Sequence, residues 1–407
     1  MYRFLPFPVT LRVQVWLLAL WLSCSFPSNA AARKRRPRVH HPPDPALTAL
    51  LPGTVRGGPW TEPTYGDSTD GDSIERDDPT VRRIAIQALG PYHGSVVVVD
   101  SSTGRILSIL NQRLALASGF QPCSTFKVPV ALAALNEKIV EPDIAVVFAG
   151  MKMNLTHALA HSNNYFFANL GQELGFDKLS AYARQFGYGE KAGWNIDGEQ
   201  AGRFPSTPPE NGGVGMLASF GEEISQTPLQ FAALMSAIAN GGTLYQLQYP
   251  RSGAAAAAPF SPKVKRKLDM VLPIYGVIPG LLGAVERGTA RGARQEEPVA
   301  GKTGTCSEDH AHLGWFGAFN LAGRRLVVVI LLRGGHPASG PRAASIAGEV
   351  YHELRDADYL TSPPVFQPIV TPPQVWSAAN FGEVLILLSL AAGIVFILIS
   401  RRHRHRI

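Results

Sequence analysis

Two groups of apolar runs, far apart in the chain, restrict its fold most. GSVVVVDSSTGRILSIL (94–110) is a pair of strand-like segments around a polar turn with Gly104, the pattern of a β-hairpin. Strand-like runs return only much later, as PVAGKTGT (298–305), HLGWFGAFN (312–320) and RLVVVILLR (325–333). Between them the pattern is helical, in STFKVPVALAALNEK, HALAHSNNYFFANLGQEL, KLSAYARQFG and TPLQFAALMSAIANGG. Pro129 falls in the first turns of one such segment, where proline is best tolerated. A helix at PTVRRIAIQAL (79–89) precedes the hairpin and another, PRAASIAGEVYHELRD (341–356), closes the series. Strands, then helices, then strands and a closing helix describe an α+β fold, with a sheet drawn from distant parts of the chain around a helical insert. No internal repeat interrupts this order.

The two ends point to a membrane. Arg3 and Arg12 flank or precede the apolar run VQVWLLALWLSCSF, and SNAAA offers small residues for cleavage near Ala30. Residues 1–32 therefore read as a secretory signal, with an uncleaved anchor as the alternative. VLILLSLAAGIVFILIS (384–400) is 17 residues without a charge, the lower limit for a spanning helix. The basic tail RRHRHRI (401–407) marks its cytoplasmic side. Residues 33–78, rich in Pro, Gly, Asp and Thr, read as a mostly disordered linker, and 358–383 as a proline-rich spacer. The net charge of +7 is concentrated in RKRRPR (33–38) and the tail, which argues against nucleic acid as a partner.

Three short motifs in 79–357 carry the chemistry. Ser124 and Lys127, in STFK, lie one helical turn apart on one face, an arrangement that activates a hydroxyl if the lysine is neutral. By composition such a pair occurs roughly once per chain of this length. Ser162 and Asn164, in SNN, share a helical context. Lys302, Thr303, Gly304 and Thr305 form KTGT on an expected strand, a match found in about one chain in ten. The three in the order SxxK, SxN, KTG carry far more weight than any one alone.

With these residues the chain resembles the penicillin-binding protein transpeptidases, relatives of the serine β-lactamases. GSVVVVDSSTGRIL resembles the family's opening hairpin, EEISQTPLQFAALMSAIANGG a segment of its later half, and AVERGTA (284–290) precedes AGKTGT as it does there. The resemblance covers about residues 80–357. It implies a mainly antiparallel sheet flanked by helices, with an all-helical subdomain. It further implies that Ser124 is the acylated nucleophile, Lys127 its base, Ser162 a proton link between Lys127 and Lys302, and Asn164 a holder of the substrate amide. Lys302 and Thr303 would hold the terminal carboxylate of a D-Ala-D-Ala stem peptide, and the amides of Ser124 and Thr305 would form the oxyanion hole. Cys123 and Cys306 immediately adjoin the two motifs, as cysteines do in certain class A β-lactamases, and would be bridged. The implied partners are peptidoglycan stem peptides, β-lactams and other cell-wall synthesis proteins, with no cofactor and no metal. The implied location is the periplasmic face of a bacterial inner membrane, held by the C-terminal helix.

Several features depart from the family. Only 38 positions separate Ser124 from Ser162, so the helical insert should be trimmed. STFK with YGE (188–190) also resembles class D β-lactamases, although their second motif does not end in asparagine. Against D,D-transpeptidation stand a D,D-carboxypeptidase, a class D-like β-lactamase and a non-catalytic penicillin sensor. His157 and His161 stand four apart without a third metal ligand in sight. His310 and His312 read as loop residues, RQEEP (294–298) as a solvated turn, and Trp315, Phe316 and Phe319 as sheet packing.

Overall fold

The computed structural model describes residues 60–361, apart from 149 and 251–259. Its centre is a five-stranded antiparallel sheet. A first helix, α1 (Pro79–Leu89), begins where the Asp78 side chain accepts from Thr80 N and Val81 N. Strands β1 (Gly94–Asp100) and β2 (Arg105–Leu110) follow. The turn between them needs Gly104, whose φ is +72° and whose missing Cβ would lie 2.6 Å from Tyr245 Cβ.

The helical subdomain comes next in the chain. It comprises α2 (Lys127–Asn136), a small hairpin of β3 (Val146–Phe148) and β4 (Met151–Met153), then α3 (Leu155–Ala160), α4 (Asn164–Leu174) and α5 (Phe176–Gln185). Helices α6 (Gly213–Phe220) and α7 (Pro228–Ala239) follow, with a two-stranded ribbon of β5 (Thr243–Gln246) and β6 (Lys263–Lys267) and then α8 (Val271–Glu286). The chain returns to the main sheet as β7 (Val299–Glu308), β8 (Ala311–Asn320) and β9 (Leu326–Gly334), and ends in α9 (Gly340–Asp356).

Strand order is β2–β1–β9–β8–β7, so the early hairpin docks on the last strand, with Val97 opposite Val329. The two faces of the sheet belong to separate cores. Val97, Val99, Val327, Val329 and Leu331 face the helical subdomain, whereas Val96, Val98, Val328, Ile330 and Leu332 face α1 and α9. Successive side chains of a strand point to opposite faces, so a strand covered on both sides must be apolar throughout. That is why VVVV and LVVVILL do not alternate.

The structure departs from the sequence reading at three places. Residues 60–78 are not a disordered linker. Glu62 pairs with Arg333 at 2.6 Å, and Asp72 and Asp77 each bond the same Arg82 guanidinium at 2.9 Å. Gly, Asp and Thr there serve turns and buried ion pairs, which composition does not distinguish from disorder. Second, SNN interrupts the helical segment that contains it. Ser162 adopts φ +55°, and Asn163 caps α4 by accepting from Phe166 N at 2.8 Å. Third, α8 was not anticipated, because its prolines and glycines obscure the helical pattern. The glycines admit neighbours: a Cβ at Gly280 would lie 2.9 Å from Leu159, and one at Gly276 would lie 3.0 Å from Leu135.

Among the described residues no helix is long and apolar enough to cross a membrane. The expected signal at 1–32, most of the spacer, the helix at 384–400 and the tail lie outside the described residues.

Candidate active site

The stretch Cys123–Phe126 is a turn of 3-10 helix that runs into α2 at Lys127. In such a turn the side chains at i and i+3 eclipse, so Lys127 stands directly over Ser124. Lys127 Nζ lies 2.6 Å from Ser124 Oγ, 3.3 Å from Ser162 Oγ and 2.6 Å from Asn164 Oδ1. The left-handed backbone of Ser162 tips its hydroxyl from the α3–α4 turn toward this amine. Non-glycine residues in that region cost of order 1 kcal/mol, and Cys123 with φ +52° is a second such residue beside the serine.

Lys127 and Lys302 are both fully buried, with 0% exposure. Burial chiefly, and then the nearby charge of Lys302, lower the Lys127 pKa to about 6. Burial alone lowers Lys302 to about 7. At neutral pH Lys127 is therefore mostly a free amine. A neutral amine has two N–H donors and one lone pair. Asn164 Oδ1 can only accept, so it takes one N–H. With the other N–H on Ser162, the lone pair faces the Ser124 hydroxyl, as a base requires.

Strand β7 brings the third motif to the same place. Gly304 allows the approach, since a Cβ there would lie 2.8 Å from Pro122 O and 3.1 Å from Thr125 Cγ2. Beside it Cys123 and Cys306 form a disulfide with Cα atoms 5.6 Å apart, joining the serine turn to β7. Thr303 is buried, and its Oγ1 lies 2.6 Å from Thr289 Oγ1. Thr305 is exposed, and its Oγ1 accepts from Gly340 N at 2.8 Å, leaving its O–H free to donate. Lys302 Nζ donates to Thr303 O at 2.9 Å, whereas the Ser162 hydroxyl bonds Lys127. All the motif residues thus converge, but the expected link from Ser162 on to Lys302 is not made.

Supporting residues escaped the sequence reading. Trp315 Nε1 donates to Gln121 O at 2.9 Å, and Gln121 N donates to Glu308 Oε2 at 3.1 Å, so the serine turn hangs from the sheet by Gln121. Burial raises the Glu308 pKa. Buried Gln226 accepts from Tyr188 Oη at 2.6 Å and donates to Thr125 Oγ1 at 3.2 Å, beneath the nucleophile. Isolated Gln and Glu side chains have no periodicity or motif that would single them out.

The remaining candidates lie elsewhere. His157 and His161 are exposed, with ring centroids 4.4 Å apart, and among the described residues no group of three or more His, Cys, Asp or Glu could hold a metal. His312 lies on β8 and not in a loop, its ring 4.0 Å from that of Trp60. Trp315, Phe316 and Phe319 are buried in the sheet.

The chain is similar to several known proteins. Residues 94–352 match the family model described as the penicillin binding protein transpeptidase domain. Stage V sporulation protein D of Bacillus subtilis is 31% identical over 230 residues, 49% of this chain and 35% of that protein. Penicillin-binding protein PbpB of Mycolicibacterium smegmatis is 24% identical over 333 residues, 67% of this chain and 51% of its own. The chain thus spans about half or less of the length of these relatives. Among solved structures, Pseudomonas aeruginosa PBP2 superposes with a TM-score of 0.61 at 23% identity, over 72% of this chain and 80% of that one.

Proposed function

Because this chain belongs to the penicillin-binding protein transpeptidase family, we propose that it is a serine D,D-transpeptidase acting on D-Ala-D-Ala stem peptides of peptidoglycan. Relatives named peptidoglycan D,D-transpeptidases, among them MrdA of Acinetobacter baumannii and PbpA of Mycobacterium tuberculosis, support the reaction class. The observation that carries the reading is the Lys127 amine, buried, held near pKa 6 and 2.6 Å from the Ser124 hydroxyl.

In the proposed reaction Ser124 Oγ attacks the carbonyl of the penultimate D-alanine while its proton passes to Lys127 Nζ. The carbonyl oxygen gains negative charge between the amides of Ser124 and Thr305, where one donor is typically worth ~3 kcal/mol. The C–N bond breaks, and the departing D-alanine amine takes a proton delivered through Ser162 from Lys127. An acceptor amine then attacks the acyl-enzyme, gives a proton back through the same groups, and restores Ser124 as the cross-link forms. Asn164 orients the donor amide, and Lys302, Thr303 and Thr305 hold its terminal carboxylate. A β-lactam carbonyl would enter by the same path and remain as an ester. The catalytic body would lie outside the cytoplasmic membrane, tethered by residues 384–400.

The test is labelling of the full chain with a fluorescent penicillin. A stable adduct on the Ser124 peptide, absent in Ser124→Ala, is expected. Unchanged labelling of Ser124→Ala, or rapid multiple turnover of nitrocefin by the wild type, would overturn the reading.

A further inference from the structure

The segment that joins α8 to β7 contacts both the α3–α4 turn region and β7. Thr289 N donates to Ala160 O at 3.3 Å, two residues before Ser162. Gly288 fits against that same carbonyl, where a Cβ would collide with Ala160 O. On the other side Thr289 Oγ1 lies 2.6 Å from Thr303 Oγ1, and either oxygen could be the donor. One residue thus touches the turn that carries Ser162 and the strand that carries Lys302.

Direction follows from chemistry. A bound carboxylate has only acceptor oxygens, so a threonine hydroxyl that binds it must spend its single proton on it. If Thr303 donates to the carboxylate, its bond with Thr289 must run the other way, with Thr289 as donor. Each donation into Thr303 Oγ1 polarises the O–H that points at the ligand, and hydrogen bonds to an ionised acceptor gain most from this. Thr303 is only 4% exposed, so little water reaches it to replace that donor.

From this geometry we infer that Thr289 is a positioning residue for the donor's terminal carboxylate. Its hydroxyl donates to Thr303 and so fixes the Thr303 proton toward the ligand. The inference rests on the D,D-transpeptidase reading and adds to it a residue that never touches substrate.

Thr289→Val removes the hydroxyl at nearly constant volume, and Thr289→Ser keeps it. Acylation of the full chain is measured by stopped flow with benzylpenicillin and with its methyl ester, which lacks the carboxylate charge. Thr289→Val is expected to slow acylation by the free acid about tenfold, the scale of one lost hydrogen bond, and by the ester less than about twofold. Thr289→Ser should restore the free-acid rate. Equal slowing with both compounds would make Thr289 a merely structural residue and overturn the inference, as would unchanged rates with the acid. Failure of the wild type to acylate with either compound would refute the functional reading itself, and the inference with it.

Discussion

Replacing Lys127 by arginine separates a base from a mere cation. The lysine pKa is lowered to about 6, so at pH 7 roughly ten amines are neutral for each that is charged. Arginine cannot be deprotonated in a protein, so its neutral fraction at pH 7 is below about one in 10⁵. General-base assistance is worth about 10² to 10⁴ in rate, which sets the expected loss once the base is gone. Arginine is permanently charged where Lys127 is mostly neutral, so attraction of a carboxylate donor is not lost while proton abstraction is. Stopped-flow acylation by a fluorescent penicillin should therefore fall by about 10³, with the adduct still on Ser124. The wild-type rate should rise with pH along a limb centred near 6, as Lys127 loses its proton, and this limb should be missing in the variant. Circular dichroism and the intact disulfide report that the fold persists. A Lys127→Arg protein that acylates within tenfold of the wild type would refute Lys127 as the base.

Three further outcomes are expected. Lys302 has a folded pKa near 7 against 10.5 for a free lysine, so the unfolded chain holds the extra proton between those values. Stability should therefore rise with pH across that window, and Lys302→Met should raise the melting temperature at pH 7 while weakening acylation. Removing the Lys302 charge should also raise the Lys127 pKa and move the acylation limb upward; an unmoved limb would show the lysines to be uncoupled. The Cys123–Cys306 bridge closes a loop of 183 residues, for which chain entropy gives at most ~5 kcal/mol, so Cys306→Ser should lower the denaturation midpoint in urea. Truncation after Pro373 should release a soluble penicillin-binding protein, and retention of that protein on salt-washed membranes would place the anchor at the N-terminus.

What the sequence made legible was whatever depends on composition within a short window. The strands of the sheet, the helix at 228–239 and the three motifs could be read because apolar runs and fixed spacings survive without knowledge of the partner element. Ser162 shows the limit of such reading. Its neighbours have helical spacing, yet Asn163 competes as a cap and the backbone turns back on itself at φ +55°. Residues 60–78 failed for a different reason. Asp72 and Asp77 look like solvated loop residues until Arg82, on the next helix, neutralises both inside the domain. Thr289 and Gln226 each bond two residues on other parts of the fold, and no local pattern encodes such bonds. Convergence of Ser124, Ser162 and Lys302 was accessible only through resemblance, since spacing alone cannot say which distant segments meet.

The strand order β2–β1–β9–β8–β7 has a consequence for how the chain assembles. Strand β1 finds its central neighbour only when Leu326–Gly334 has been made and delivered, so the middle of the sheet is the last part to become available. Contacts of such long sequence separation slow folding, because the entropy of closing the loop is lost before any pairing energy is gained. Until then the hairpin of β1 and β2 presents an open edge of unpaired amides and carbonyls lined with valine. Such an edge invites pairing with other chains. A chain interrupted between β8 and β9 would hold Ser124, Lys127 and even Lys302 yet lack the strand that joins the two halves of the sheet. Keeping the first hairpin apart from its neighbours while the rest of the chain arrives is therefore a demand that this strand order places on folding.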